Sequence, residues 1–484
     1  METNPDFGIV SFGAYIPRTR LQRKAVAAAN GWFNSGLRGL AKGERAIGNW
    51  DEDAITMGVE AARECLAGVD RAGLASIVLA STTLPFDDRQ NSGVLANALN
   101  LATTVRTMDT TGSLRAATTA LAAALGAGGG QALVIGSDAR KAKAGSTQEM
   151  QYGHGAAAVL VGPGRPLARL IGSHSETVDF VHQYRFHDRA HDYGWEERWI
   201  RDEGYLKIVP RVLGALLKKT GTDASAVTHF CMPGTLSRIG ATVAKKCGLP
   251  ETSVRDNLGA GCGDTGAAHP IMMLVSALED AKPGERILVV GFGEGCDAML
   301  FEVTPAIAQC APRGGVRAAL ARRREDSNYM RYLSFNDLIN LERGMRAEVD
   351  KATPLSVLYR NRDMIQGLVG GRCRACGTVQ YPKQRYCVNP DCNALDSQDD
   401  YGFAEMRGKV MSYTADSLTY SPDPPTYFGM VQFDEGGRML MDFTDVDAEK
   451  MDVGLPVRMM FRIKDADPTR GFVRYFWKAA PAQA

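Results

Sequence analysis

Four of the ten cysteines fall between positions 373 and 392, paired as Cys373 and Cys376 in GRCRACGTVQYP and as Cys387 and Cys392 in RYCVNPDCN. Each short loop turns two thiolates toward one centre, and four thiolates supply the closed tetrahedral shell that Zn²⁺ prefers. A closed shell offers substrate no open position, so the expected metal is structural zinc. A redox dithiol at Cys373 and Cys376 would leave the second pair unexplained. Cys262 stands between Gly261 and Gly263 and reads as a small packed hydrophobe rather than a nucleophile. His182, His187 and His191 lie in DFVHQYRFHDRAHDYGWEERWIRDEGY, at spacings that form no helical metal face. That stretch reads as a substrate-pocket or dimer-contact loop. The arginines 313, 317, 322, 323 and 324 read as a solvated helix face or, alternatively, as a contact for phosphates.

Positioning such groups takes a large scaffold, and the 484 residues, 45% hydrophobic and 23% charged, suffice for two or three domains. A disordered or fibrous chain is excluded. The formal charge of +1 provides no overall field for nucleic acid or an anionic membrane. The opening METNPDFGIV lacks the basic start and apolar core of a signal peptide, and no apolar run is long enough to cross a bilayer. A cytoplasmic protein with no membrane or nucleic-acid partner is expected. Up to residue 304, Ala-rich helical segments alternate with SIVLAS, ALVIGS, AAVLVG and RILVVGFG, which predicts a layered α/β fold. AAAVLVG at 156–162 and RILVVGFGEG at 286–295 end alike and hint at two related halves. Residues 305–350 read as a basic, helical linker, and 351–400 as a helix plus the cysteine ribbon. In 401–484, GKVMSYTA, YFGMVQFD, RMLMDFTD, PVRMMFRI and FVRYFWKA predict a small β-barrel of the OB type. Its loops, DSQDDYG and DVDAEKMD, are acidic, which argues against nucleic-acid binding.

Several stretches of the first 304 residues carry a resemblance: GIVSFGAYIPRTRLQRKAVA, WDEDAITMGVEAA, GSLRAATTAL, YGHGAAAVLVG, ETVDF, GCGDTGAAHPIMML and GFGEGCDA. Over most of 6–304 the chain resembles the 3-hydroxy-3-methylglutaryl-CoA synthase branch of the thiolase superfamily. The ribbon and barrel, with PLSVLYRNRD and GGRCRACG, are similar to the acyl-CoA-associated zinc-ribbon and OB-fold family that commonly partners thiolase-like proteins. The resemblance implies a duplicated five-layer αβαβα domain at 1–304. Each half would hold a five-stranded sheet, with the active site where the halves meet. It also implies an acyl-CoA substrate, with coenzyme A as part of it, chemistry at the Cα–Cβ bond, and a homodimer or higher homo-oligomer.

The catalysts of that family do not carry over. Aligning the small-residue run at 116–120 places Leu114 where the nucleophilic cysteine would stand, with Ser113 beside it. In HFCMPG, Cys231 takes the place of the catalytic histidine, with His229 two residues earlier, and Thr82 and Thr83 follow the strand that would present the glutamate. Leucine cannot be acylated, and an aliphatic hydroxyl is a poor nucleophile without a base. Other polar groups occupy the matching motifs. Asp264 and His269 lie in GDTGAAH, His154 lies in YGHGAAA where the family has an aspartate, and Tyr152 is close by. A partly desolvated carboxylate at Asp264 could act as general base. Asp264, His154, Cys231 and His269 are therefore the catalytic candidates. The expected activity is that of an aldolase or retro-aldolase on a β-hydroxyacyl-CoA. The alternatives are a synthase-like acyltransferase, condensing or thiolytic, and a non-catalytic acyl-CoA scaffold in a multienzyme complex.

Overall fold

A computed structural model describes residues 6–310, 314–352 and 354–482, so Arg313 of the arginine run lies outside the described residues. The β-branched runs form strands because their side chains find cover on both faces of one sheet. In chain order these are β1 (Phe7–Tyr15), β2 (Leu74–Ala80), β3 (Arg106–Thr110), β4 (Gln131–Ala139), β5 (His154–Pro163), β6 (Ala168–Thr177), β7 (His229–Cys231), β8 (Arg286–Phe292) and β9 (Gly295–Val303). They order as β7-β8-β9-β6-β1-β5-β4-β2-β3. β2 pairs in parallel with β3 and β4, and β7 pairs in parallel with β8. The halves join where Gly8 and Ile9 of β1 meet Arg169 and Ala168 of β6.

The fold is thiolase-like, with one difference from the expected pair of five-stranded halves. The second half has four named strands, and an isolated parallel bridge from Phe230 to Val254 stands at its outer edge, beside β7. Three helices, α1 (Ala54–Cys65), α2 (Ala116–Ala127) and α3 (His269–Asp280), cover the sheet. Asp53 starts α1 through a reciprocal capping box with Thr56, which satisfies two otherwise unpaired N–H groups. Ala117 and Leu121 of α2, Ile271 and Leu274 of α3, and Val134, Val159 and Val289 of the strands share one buried core. The small side chains of α2 let it be buried among strands of both halves.

The first unit runs on to Ile339, beyond the boundary expected at residue 304. Arg324–Asp326 pairs in parallel with Thr19–Gln22, and Tyr332 is fully buried. The arginine run is accordingly structural. Arg323 pairs with Glu44, Arg317 with Asp280, and Arg322 lies over the Tyr15 ring.

The second unit comprises 340–484 together with Trp50–Glu52 and Val94–Leu101. In its ribbon, Val369–Cys373 pairs with Val379–Gln380 on one side and Gln398–Gly402 on the other. The barrel sheet orders as Arg438–Asp442, Thr426–Phe433, Arg407–Asp416, Pro456–Asp467 and Phe472–Pro481. A bridge from Phe443 to Ala479 nearly closes it around Val431, Phe433, Phe461 and Trp477. Among the described residues, no helix is long and apolar enough to cross a membrane.

Candidate active site

Ser113, Leu114 and Arg115 lead directly into α2, and the turn between β8 and β9 backs onto them. Ser113 Oγ donates to the Gly293 carbonyl at 3.0 Å, and Arg115 Nε donates to the same oxygen at 2.8 Å. Arg115 Nη1 also pairs with buried Asp297 at 2.8 Å, and Asp297 accepts from Thr118 and Thr119 of α2. These bonds fix the turn against the start of the helix. At its tip Glu294 adopts φ 47°, a left-handed conformation unfavourable for a residue with a Cβ. Its Oε2 is buried without a hydrogen bond, and Oε1 lies 3.9 Å from His182 Nδ1. Burial pushes the Glu294 carboxyl above its ordinary range, with only partial relief from Ser113 and Arg115. His182 packs on the Phe292 ring at 5.3 Å, and neither of its ring nitrogens has a hydrogen-bond partner. Burial, reinforced by the nearby Arg140 charge, lowers its pKa to about 4, so the ring is neutral at pH 7.

A second cluster forms at the C-terminal end of β4. Asp138 accepts hydrogen bonds from Ser81 Oγ (2.9 Å), the Thr82 N–H (2.7 Å) and hydroxyl (3.0 Å), Thr83 Oγ1 (3.0 Å) and the Ala267 N–H (2.7 Å). Gly266 takes φ 61° there, and a Cβ at that position would run into the Asp138 carboxylate. Arg140 is buried and donates to Asp192 (2.8 Å), Asp264 (3.2 Å) and Gln183 (2.8 Å), while its guanidinium covers the Tyr152 ring at 3.5 Å. Arg185 joins Asp192 at 2.6 Å and donates to the Thr82 carbonyl. Together these bonds pin a hairpin formed by Gln183–Tyr184 and Tyr193–Gly194. His182, Tyr184, Tyr193, Trp195 and Trp199 line a cavity of about 320 Å³ beside it. Trp199 stacks on Phe180 at 4.1 Å, and a π-helical stretch, Ile200–Ile208, follows. Pro210 lacks the N–H that a regular helix would use at that point, which accounts for the wider turns before it.

In the ribbon, the ligand atoms of Cys373, Cys376, Cys387 and Cys392 all lie within 4.8 Å of one another. The Cys376–Cys387 and Cys373–Cys392 sulfur pairs are 3.5 and 3.9 Å apart. A tetrahedron with Zn–S bonds of about 2.3 Å has edges of about 3.8 Å, so the four sulfurs fit the expected structural zinc.

Comparison with known proteins gives matches to three family models. Residues 364–396 match the family described as ChsH2, rubredoxin-like zinc ribbon domain, and 403–462 match ChsH2, C-terminal OB-fold domain. Residues 217–303 match the family described as 3-oxoacyl-[acyl-carrier-protein] synthase III C terminal. The hydroxymethylglutaryl-CoA synthase of Aeropyrum pernix is 31% identical over 335 residues, spanning 66% of this chain and 92% of that protein. The chain belongs to the hydroxymethylglutaryl-CoA synthase family. The enzyme of Pyrococcus furiosus is 29% identical over 315 residues, spanning 63% of this chain and 87% of its own. A crystal structure of HMG-CoA synthase complexed with CoA superposes with a TM-score of 0.61 at 19% identity, covering 70% of this chain and 92% of that one. The HMG synthase of the curacin biosynthetic pathway, in complex with acetyl donor-ACP, gives 0.59 at 17% identity, covering 82% and 99%. The chain is thus an enzyme of the thiolase superfamily that carries its zinc ribbon and OB barrel in the same polypeptide.

In this hydroxymethylglutaryl-CoA synthase family member the candidate residues have distinct settings. Asp264 and Tyr152 both lie against Arg140, and Asp264 Oδ1 also accepts the Gly266 N–H at 2.9 Å. His154 Nδ1 accepts the Gly48 N–H at 2.8 Å, so Nε2 carries the proton and faces the Arg140 carbonyl at 3.2 Å. Burial lowers its pKa to about 3. Tight packing surrounds it, since a Cβ on Gly153 would strike the Cys262 carbonyl. His269 Nδ1 accepts the Thr265 N–H at 3.0 Å, and Nε2 donates to the Asn257 carbonyl at 2.7 Å. Cys231 is fully buried in the core, 3.5 Å from the Met273 carbonyl, and burial pushes its thiol up to about 12. His229 is bonded instead to Glu285 at 2.8 Å. Cys262 is buried, its thiol also pushed up to about 12, as a packed hydrophobe would be. Sequence reasoning passed over Arg140, Asp192 and Glu294. Of these only Glu294 carried a local signal, a lone carboxylate inside the glycine turn GFGEG.

Proposed function

We propose that this enzyme makes or breaks the Cα–Cβ bond of a β-hydroxyacyl-CoA without an acyl-enzyme, as an aldolase or retro-aldolase. One observation carries the reading: Leu114, two residues ahead of α2, stands where the sequence resemblance aligns the family's acyl-accepting thiol. Burial raises the thiols of Cys231 and Cys262 to about 12 and that of Cys247 to about 11, and raises Cys296 as well, so none of these four replaces it. Claisen chemistry by the family route needs acyl capture. Aldol chemistry needs only a base and a stabilised enolate. A CoA thioester acidifies the α carbon, and the Leu114 N–H at the N-terminal end of α2 would hold the enolate oxygen.

Roles for the remaining candidates follow from their partners. Arg140 and Asp264 position the hairpin. His154 and His269, with both nitrogens committed to backbone groups, hold neighbouring loops, and Cys231 packs the core. The aromatic cavity has the size and lining of a small-molecule pocket and would take an apolar β-substituent.

A second reading, condensing acyl transfer, is favoured by the family and by Ser113, whose hydroxyl sits at the turn beside Glu294. The test is incubation with aliphatic and aromatic β-hydroxyacyl-CoA thioesters and assay for released aldehyde or ketone. Release that persists in Ser113→Ala supports the aldolase. A labelled acyl group that stays covalently attached to Ser113 after denaturation would establish acyl transfer, and CoA binding without turnover would leave the scaffold alternative.

A further inference from the structure

An unpaired imidazole is costly to bury, because each unmatched polar group forfeits its solvation. His182 is 6% exposed, and both of its nitrogens lack hydrogen bonds. Its ring lines the aromatic cavity. Glu294 repeats the pattern: Oε2 is buried and unbonded, Oε1 lies 3.9 Å from the imidazole, and the backbone is left-handed at a residue that is not glycine. The neighbouring turn residue, Gly293, abuts the Leu114 N–H so closely that a Cβ there would lie 3.2 Å from it. Two polar groups with unfilled hydrogen-bonding capacity, one strained backbone and a cavity therefore meet beside the position that the resemblance aligns with the family's nucleophile.

We propose that Glu294 and His182 are the proton-transfer pair of this enzyme, their missing hydrogen bonds supplied by the β-hydroxyl of the bound thioester. The proposal rests on the aldolase reading above. In the cleavage direction the Glu294 carboxylate takes the hydroxyl proton. The oxygen's electron pair forms the new C=O as the Cα–Cβ bond breaks, and that bond's electrons pass to Cα as the thioester enolate. The protonated Glu294 then returns the proton to Cα, releasing a carbonyl compound and the shorter acyl-CoA. No oxidant, reductant or water is consumed. His182, neutral, donates its ring N–H to the oxygen while the proton is moving.

The groups facing the pair suit it to this work. Arg115, Ser113 and Asp179 surround Glu294, and Arg140, Asp264 and Asp192 surround His182. A carboxyl raised by burial is a stronger base than a solvated one.

The test compares wild type, Glu294→Gln and Glu294→Asp on a β-hydroxyacyl-CoA that wild type cleaves, following carbonyl release and deuterium incorporation at Cα of the acyl-CoA product. Glu294→Gln is expected to lower kcat by more than about 100-fold with KM changed less than about threefold. It should also abolish Cα deuteration and remove the acid limb of the pH–rate profile. Glu294→Asp should restore part of the rate, which a merely misfolded site would not. His182→Phe, which keeps the packing on Phe292, should lower kcat by about 10-fold or more. Turnover and deuteration retained in Glu294→Gln would overturn the assignment and leave the aldolase reading standing. Absence of turnover in wild type with every thioester would overturn both.

Discussion

Arg140 shows how much of the site depends on a single side chain. Its guanidinium satisfies Asp192, Asp264 and Gln183 at once, with 1% of its side chain exposed. Arg140→Met would leave Asp264 without its counter-charge and Asp192 with Arg185 alone, and losing one partner of a buried pair typically costs about 3–5 kcal/mol. Urea unfolding should show that loss as a lower midpoint, whereas an unchanged midpoint would mean the carboxylates find other partners. The buried histidines predict an acid-side effect whose sign is fixed. His154 and His182 have folded pKa values of about 3 and about 4, below the ordinary 6.5. Above pH 6.5 both rings are neutral, folded or unfolded, and cost nothing. As pH falls through 6.5 the unfolded chain takes up protons that the folded protein refuses, so stability declines down to about pH 4 for His182 and about pH 3 for His154. Urea midpoints measured from pH 7 to pH 4.5 should fall, and fall less steeply in His154→Gln. Equal slopes would mean His154 does not titrate as its burial requires.

At the scale of elements, legibility followed sequence distance. The ribbon could be read because its four ligands lie within two short loops whose spacing alone states the geometry. Chelation, or Cys387→Ser, should release one zinc per chain and strip hydrogen-exchange protection from the Val369–Cys373 and Gln398–Gly402 strands. Protection that survives metal loss would make the zinc dispensable for the ribbon. The barrel strands were legible from their alternation, as in the buried pattern of Thr426–Phe433. The boundary at 304 was not, because Arg324–Asp326 completes a sheet with Thr19–Gln22, a partner from the far end of the chain. Nor could repeat matching foresee that the outer edge of the second half carries only the Phe230–Val254 bridge. The hairpin of Gln183–Tyr184 and Tyr193–Gly194 is too short to announce itself, and salt bridges to Arg140 and Arg185 rather than strand length hold it in place.

The whole molecule combines a hydroxymethylglutaryl-CoA synthase family scaffold with a leucine, Leu114, just ahead of α2, and the proposed function is that no acyl group is captured there. The placement of Leu114 comes from the sequence, where the small residues at 116–120 set the register of the proposed match. Glu294 and His182 were not legible there, since their significance lies in hydrogen bonds they lack, and these depend on side chains brought together from Ser113 to Glu294. Rapid quenching during turnover, followed by intact-protein mass spectrometry, tests the absence of an acyl-enzyme directly. The chain should retain its unmodified mass at every time point while carbonyl product accumulates. A turnover-competent population carrying the mass of a substrate acyl group, on Ser113 or any cysteine, would contradict it.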